Sequence, residues 1–141
     1  MEKLSNDTIK IQTSHAILQV SGKYVLQLRD NKPTIASAGK WSLFGGMING
    51  NETPLQAINR EILEELNIKP EEYRFLWFAD YYSDFFREII RTWFFVSDVT
   101  EIWSDHKLME GQDVGIFPLE QIKNLDMARI MRETLEQFTI R

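Results

Sequence analysis

At 141 residues the chain amounts to one domain, long enough to bury a sizeable core. With 26% of residues charged and a net charge of −5, it reads as globular and lacks the basic stripe of a general nucleic-acid binder. It has no cysteine, which excludes disulfides, thiolate metal sites and cysteine nucleophiles and fits a reducing compartment.

The first ten residues are polar and lack the apolar core of a secretory signal. No apolar run approaches the ~18 residues of a membrane span, so the expected setting is the cytoplasm, with no membrane partner. Residues 10–20 and 24–30 are rich in β-branched and apolar side chains. Ser21-Gly22-Lys23 separates them, so they read as a hairpin. Residues 31–40 contain Pro33 and Gly39 and read as a loop; 41–44 read as a short strand that stops at Gly45-Gly46. Asn49-Gly50-Asn51 is a turn signal.

A helix follows with both ends marked. Thr53 is the expected N-cap, Pro54 fits the first helical position, and Gln56 completes a capping box. Leu55, Ile58, Ile62 and Leu66 recur at helical spacing as the apolar stripe. Asn67 suits the left-handed residue that ends many helices, and Pro70 prevents resumption. Residues 73–83 and 86–99 are aromatic and β-branched and read as two strands joined by a turn at Ser83-Asp84. Residues 101–110 form a polar loop, 112–117 a last strand and 118–125 a helix. The final helix is expected to start from Asp126 as N-cap, with Met127, Ile130, Met131, Leu135 and Phe138 on one face. The order of elements implies α/β architecture: a mixed sheet between helices, in a single domain spanning 1–141.

The acidity is concentrated. Between Glu52 and Glu72 lie six acids against two bases, a local −4 out of −5 for the whole chain. Residues three and four apart on a helix are neighbours, so Glu61, Glu64 and Glu65 project from one side as a carboxylate cluster. Like charges that close repel by a few tenths of a kcal/mol per pair on an exposed helix, and a divalent cation would reverse the sign. Oxygen ligands without His or Cys select hard ions, with Mg²⁺ the first choice and Mn²⁺ the second. Taken alone, such a cluster reads more often as a solvated face.

The cluster has company. Gly46, five residues, Glu52, seven residues, then Arg60-Glu61-Ile62-Leu63-Glu64-Glu65-Leu66-Asn67-Ile68 resembles the Nudix box, G-x5-E-x7-R-E-U-x-E-E-x-G-U with U apolar. Only Asn67 departs, standing for the last glycine, and both residues tolerate the helix-ending conformation. Trp41-Ser42-Leu43-Phe44-Gly45-Gly46 also looks like the segment that precedes the box in many members, with Phe44 at a frequent proline position. Asn49 and Asn51 stand where many members carry a glutamate and a glycine.

The resemblance implies the Nudix α/β/α sandwich and Mg²⁺-dependent hydrolysis of a nucleoside diphosphate derivative, a nucleoside triphosphate or nucleotide sugar, by in-line attack of water on phosphorus. It implies Glu64 and Glu65 as metal ligands, Glu61 as ligand or base, and the Gly45 carbonyl as a further ligand. Glu52 and Arg60 resemble the pair that braces the loop against the helix and orients the glutamates. Many members take a further glutamate from a later loop. Glu110 is the candidate here beside its reading as a solvated carboxylate, with Asp113 and Asp105 as weaker choices. Arg29 closes the second strand where it could meet phosphate, although long charged side chains are mostly plain surface, and Arg87 and Arg91 share that position. Trp41, Trp77, Phe78, Tyr81, Tyr82 and Trp93 could stack on a base, pack in the core or pair across a homodimer. His15 and His106 show no ligand spacing and read as non-catalytic. Two further readings stay open: a Nudix-like module that senses a nucleotide without turnover, and the isoprenoid diphosphate isomerase branch, whose associated cysteine this chain lacks.

Overall fold

The computed structural model describes residues 8–140. Strands β1 (Gln12–Val20) and β2 (Lys23–Leu28) form the expected hairpin, with Val20 opposite Lys23. Ser21 and Gly22 both take positive φ, 50° and 77°, which matches the turn's twist to that of the flanking strands. Past Leu18 and Val25 the two strands splay, and the segment 41–47 is wedged into the fork. Its first piece, β3 (Trp41–Ser42), pairs with β2; its second, β4 (Phe44–Met47), pairs with β1. The expected single strand ending at the glycines is therefore corrected twice. It breaks at Leu43, where it changes partner, and it runs on through Gly45 and Gly46, which pair with His15 and Ser14.

Strands β5 (Arg74–Ser83) and β6 (Glu88–Asp98) form a second antiparallel hairpin, and β6 runs parallel to β1 along its other edge. The turn between them takes residues 84–87 rather than two residues: the Arg87 N–H donates to the Ser83 carbonyl at 2.7 Å, with Arg87 at φ 58°. Strand β7 (Asp113–Phe117) completes the mixed sheet on the outer edge of β2.

Helix α1 (Pro54–Leu66) has the ends read from the sequence. Thr53 Oγ1 accepts from the Gln56 N–H at 3.1 Å, Gln56 Oε1 accepts from the Thr53 N–H at 2.9 Å, and Asn67 sits at φ 55°, ψ 34°. Its buried face is Ala57, Ile58, Ile62, Glu65 and Leu66. Leu55, expected in that stripe, is 46% exposed, because its turn lies outside the cluster that Ile58, Ile62 and Leu66 join with Ala16, Leu18, Val25 and Phe44. The opposite sheet face carries Ile17, Leu26, Leu43 and Phe94 against Leu135 and Met131 of α3 (Arg129–Thr139). Helices thus cover both faces of the sheet.

Two C-terminal expectations change. The helix expected over 118–125 is reduced to α2 (Leu119–Ile122). Asp126 is not an N-cap: its carbonyl accepts from the Trp41 N–H at 2.9 Å, and the Ala128 N–H donates back to the Trp41 carbonyl at 3.0 Å. That strand-like bridge holds 126–128 extended, so α3 starts only at Arg129.

Candidate metal and phosphate site

The fork in the sheet determines where the chemistry gathers. Glu65 lies on the inner side of α1 and is 2% exposed. Its Oε1 accepts from the Gly45 N–H of β4 at 3.0 Å, and its Oε2 faces Gln27 Nε2 of β2 at 3.4 Å. The carboxylate thus bridges β4, wedged in the fork, and β2. Burial, and then the charges of Glu61 and Glu110, push its pKa well above the ordinary carboxylate value; the Gly45 N–H and Arg29 pull the other way. The three glutamates that the box places on α1 are consequently graded rather than equivalent. Glu65 is buried, Glu61 is half-buried, and Glu64 is 50% exposed.

The glycine pair makes that placement possible. A Cβ on Gly46 would stand 2.5 Å from the Glu61 carboxyl carbon, and one on Gly45 only 2.1 Å from the Ser14 carbonyl oxygen. Gly45 also has φ +152°, a conformation side chains rarely adopt. Beside them, Arg60 donates through Nε and Nη2 to both Glu52 oxygens at 2.7 and 2.9 Å, a bidentate fork. Its Nη2 also reaches the Met47 carbonyl at 2.8 Å, and its Nη1 the Glu61 Oε1 at 2.8 Å and Glu64 at 3.3 Å. Glu52 in turn accepts from the Asn49 N–H at 2.8 Å. One guanidinium therefore joins Glu52 in the turn before the helix, the end of β4 and two glutamates of α1. Hydrogen bonds from Arg60 and Asn49 hold the Glu52 carboxyl below its usual range. Burial raises Glu61 despite its Arg60 partner.

A cleft of about 1130 Å³ opens over this arrangement. Glu61, Glu65 and Glu110 line it together with Gly45, Gly46 and Arg29. The loop before β7 brings Glu110 there: the Met109 N–H donates to the Glu65 carbonyl at 2.9 Å, and the Gln112 N–H to the Leu28 carbonyl at 2.8 Å. Asp105, Asp113 and Glu64 are not among the cleft's lining residues, whereas Arg29 is, with Nε on the Ala36 carbonyl at 2.8 Å. Trp41 does not line the cleft. It packs edge-on against Phe117 at 4.9 Å, as its place between β2 and the 126–128 bridge requires. The aromatic wall comes from the β5–β6 hairpin: Tyr81 and Tyr82, joined by Phe85 and Phe86, which the longer turn over 84–87 carries to the cleft in place of the expected Ser83-Asp84 turn. Phe78 and Trp93 pack together at 4.8 Å, and Arg91 is bound bidentately by Asp80 at 2.7 and 2.9 Å.

Two lining residues were not singled out for this site. His15 is buried beside Gly45, and burial followed by Arg29 depresses its pKa to about 3, so it is a neutral imidazole. Gln27 is a polar residue in the apolar run Tyr24-Val25-Leu26-Gln27-Leu28 on the face of Val25. That misfit was the available signal.

The donor set fits a hard divalent cation. It is all oxygen, it includes carboxylates whose charged form the fold disfavours, and a glycine at Gly46 leaves the room Glu61 needs. Among the described residues no three Asp, Glu or His side chains are already gathered as ligands around one point. Arg60 instead occupies Glu61 and Glu64 as a counter-charge.

Residues 10–138 match the family model described as the NUDIX domain. The fold is similar to that of the MutT protein from Methanosarcina mazei Go1, at 23% identity and TM-score 0.79 over 96% of each chain. It is similar to the NUDIX domain of Shewanella oneidensis NrtR, solved with ADP ribose, at 22% identity and TM-score 0.78 over 98% of this chain and 93% of that one. A bifunctional NMN adenylyltransferase/ADP ribose pyrophosphatase from Francisella tularensis, solved with AMP and a Mn ion, matches at 21% identity and TM-score 0.73, over 96% of this chain and 42% of the other.

Proposed function

The chain belongs to the NUDIX family of pyrophosphohydrolases, and on that premise we propose that it cleaves the pyrophosphate linkage of a nucleoside diphosphate derivative with Mg²⁺, or Mn²⁺ in its place. The observation that carries this reading is that one cleft is lined both by Glu61, Glu65 and Glu110 and by Tyr82, Phe85 and Phe86. A flat base and a polyanion are the two parts of such a substrate, and the likeness to folds solved with ADP ribose and with AMP supports that class.

Glu61, Glu64 and Glu65 would hold the ion, with the Gly45 carbonyl. When bound, the ion supplies charge neutralisation for the pyrophosphate and an ionisable water at neutral pH. Arg60, braced on Glu52, fixes where Glu61 can stand. Arg29 offers a cation to the phosphates. Glu110, in the cleft, takes the proton of the attacking water as its oxygen bonds to phosphorus and the bridging P–O bond breaks, releasing the other phosphate. A small-molecule rather than a nucleic-acid partner, in a cytoplasmic setting, is part of this proposal, and the net acidic charge supports it. A homodimer through the aromatic strands is left to a sedimentation measurement.

The test is a panel of nucleoside triphosphates, nucleotide sugars and ADP ribose incubated with Mg²⁺, following the nucleotide products by ion-exchange chromatography. Turnover that Glu65→Gln abolishes supports the assignment. Tight binding of one panel member with no turnover of any would replace it by a nucleotide sensor.

A further inference from the structure

Gln27 is 3% exposed and points from β2 toward α1. Its Nε2 is shared between two acceptors that the sequence holds far apart: the Glu65 carboxylate at 3.4 Å and the Glu110 main-chain carbonyl at 3.3 Å. Both contacts are long for N–H···O, as expected of one amino group serving two sites. The amide orientation is fixed by chemistry. Reversed, it would set Oε1 against a carboxylate and a carbonyl; as placed, Oε1 has no partner, so nothing competes for the other sense. The loop is shaped for this contact. Gly111, next to Glu110, has φ +89°, and a Cβ there would stand 2.9 Å from Gln27 Nε2 and 3.0 Å from its Cγ. A neutral donor also suits the place: a lysine or arginine would neutralise Glu65 and oppose a cation, whereas an amide orients the carboxylate and leaves its charge intact.

We propose that Gln27 is a positioning residue that couples the buried Glu65 carboxylate to the loop carrying Glu110, so that the metal-holding face of α1 and the Glu110 side chain are set as one unit. The proposal rests on the hydrolase reading for its kinetic consequence, and on the structure alone for its mechanical one. Partners that orient metal-binding groups change activity by about 10- to 100-fold when removed.

The variant is Gln27→Met, which keeps the unbranched stem and removes the donor; Gln27→Leu, a second side chain without a donor, serves should the first fail to fold. In metal-free protein, hydrogen exchange should accelerate at the Met109 and Gln112 amides while the β5–β6 amides keep their protection. In turnover, kcat should fall about 10- to 100-fold with KM within twofold, and Gln27→Met combined with Glu110→Gln should be no slower than Glu110→Gln alone. Unchanged exchange at Met109 and Gln112, or losses that multiply in the double variant, would overturn the coupling. The exchange experiment decides the mechanical part even if no panel substrate is hydrolysed, so failure of the hydrolase reading and failure of the coupling are separate results.

Discussion

Replacing either glycine of the Gly45-Gly46 pair by alanine adds the same methyl group one residue apart, and the structure assigns the two variants opposite signatures. In Gly46→Ala the new Cβ falls 2.5 Å from the Glu61 carboxyl carbon and 2.6 Å from its oxygens. That carboxyl ends a flexible side chain, so it is Glu61 that moves and the backbone that stays. The displaced carboxylate loses its 2.8 Å bond to Arg60, worth up to about 1 kcal/mol for a partly exposed pair, and takes an off-rotamer position at about 0.5–1.5 kcal/mol. Alanine's smaller unfolded-state entropy offsets part of this by about 0.4–1 kcal/mol, leaving a net loss near 1 kcal/mol, or a fall in Tm of about 4 °C. Activity should suffer far more, by about 100-fold in kcat, since an ångström of misplacement at a reacting site has that scale. In Gly45→Ala the Cβ meets a main-chain carbonyl at 2.1 Å at a φ of +152°, so the β1–β4 ladder must open. The expected loss is about 3 kcal/mol or more. Thermal melts by circular dichroism, paired with steady-state turnover on the best panel substrate, separate the two. A Gly46→Ala enzyme with near-parental kcat, or a Gly45→Ala protein that melts with the parent, would refute the reasoning.

Glu65 gives a pH dependence of definite sign. Its folded pKa is raised above the ordinary 4.5, so between the two values the native state binds more protons than the unfolded one, and metal-free stability should fall as pH rises from about 4.5 upward. In Glu65→Gln that part of the slope disappears, and without metal the variant should melt no lower than the parent at neutral pH while turnover falls by orders of magnitude; melts in chelator across pH check it. Added Mg²⁺ should raise the parent's Tm by mass action, about 2.7 kcal/mol at a hundred times Kd, and Glu65→Gln should lose most of that rise in the same titration. Arg60→Lys cannot reproduce the bidentate hold on Glu52 together with the reach to Glu61 and Met47, so kcat should drop about 10- to 100-fold, read by the same assay. Asn67→Gly, which restores the common residue at a φ of 55°, should shift stability by less than about 1 kcal/mol and leave turnover unchanged.

What the sequence made legible was local. The capping box of α1, its left-handed stop at Asn67 and the box spacing all depend on residues within a few turns of one another, and the structure keeps them. What it hid depends on strands that meet from afar. No pattern in 41–47 announces that Leu43 is where the chain changes partner from β2 to β1. Helical spacing predicted Glu61, Glu64 and Glu65 as one carboxylate side apart from the apolar stripe, but the sheet beneath draws Glu65 into the buried face and leaves Glu64 at the surface, outside the cleft. Asp126 has the chemistry of an N-cap and loses the role to a pairing with Trp41, a contact between residues far apart in sequence. Gln27 was visible only as a polar misfit in an apolar strand. Its partners Glu65 and Glu110 become neighbours through the fold alone.

The parallel ladder between β1 and β6 pairs Gln12 with Arg91 and Gln19 with Asp98, and this sets an order on biosynthesis. A ribosome that has released residues through Ile68 has made every residue of the box, yet β1 then has one edge with no strand to receive it, and the Glu110 loop has not been translated. Non-local pairings of this span close late, because the connecting loop must be ordered before the contact stabilises it. The acidic helix therefore exists as sequence until β6 and the Glu110 loop have followed it, before it exists as a site, and on the proposed reading a nascent chain stalled at Ile68 should show no turnover, however complete its motif.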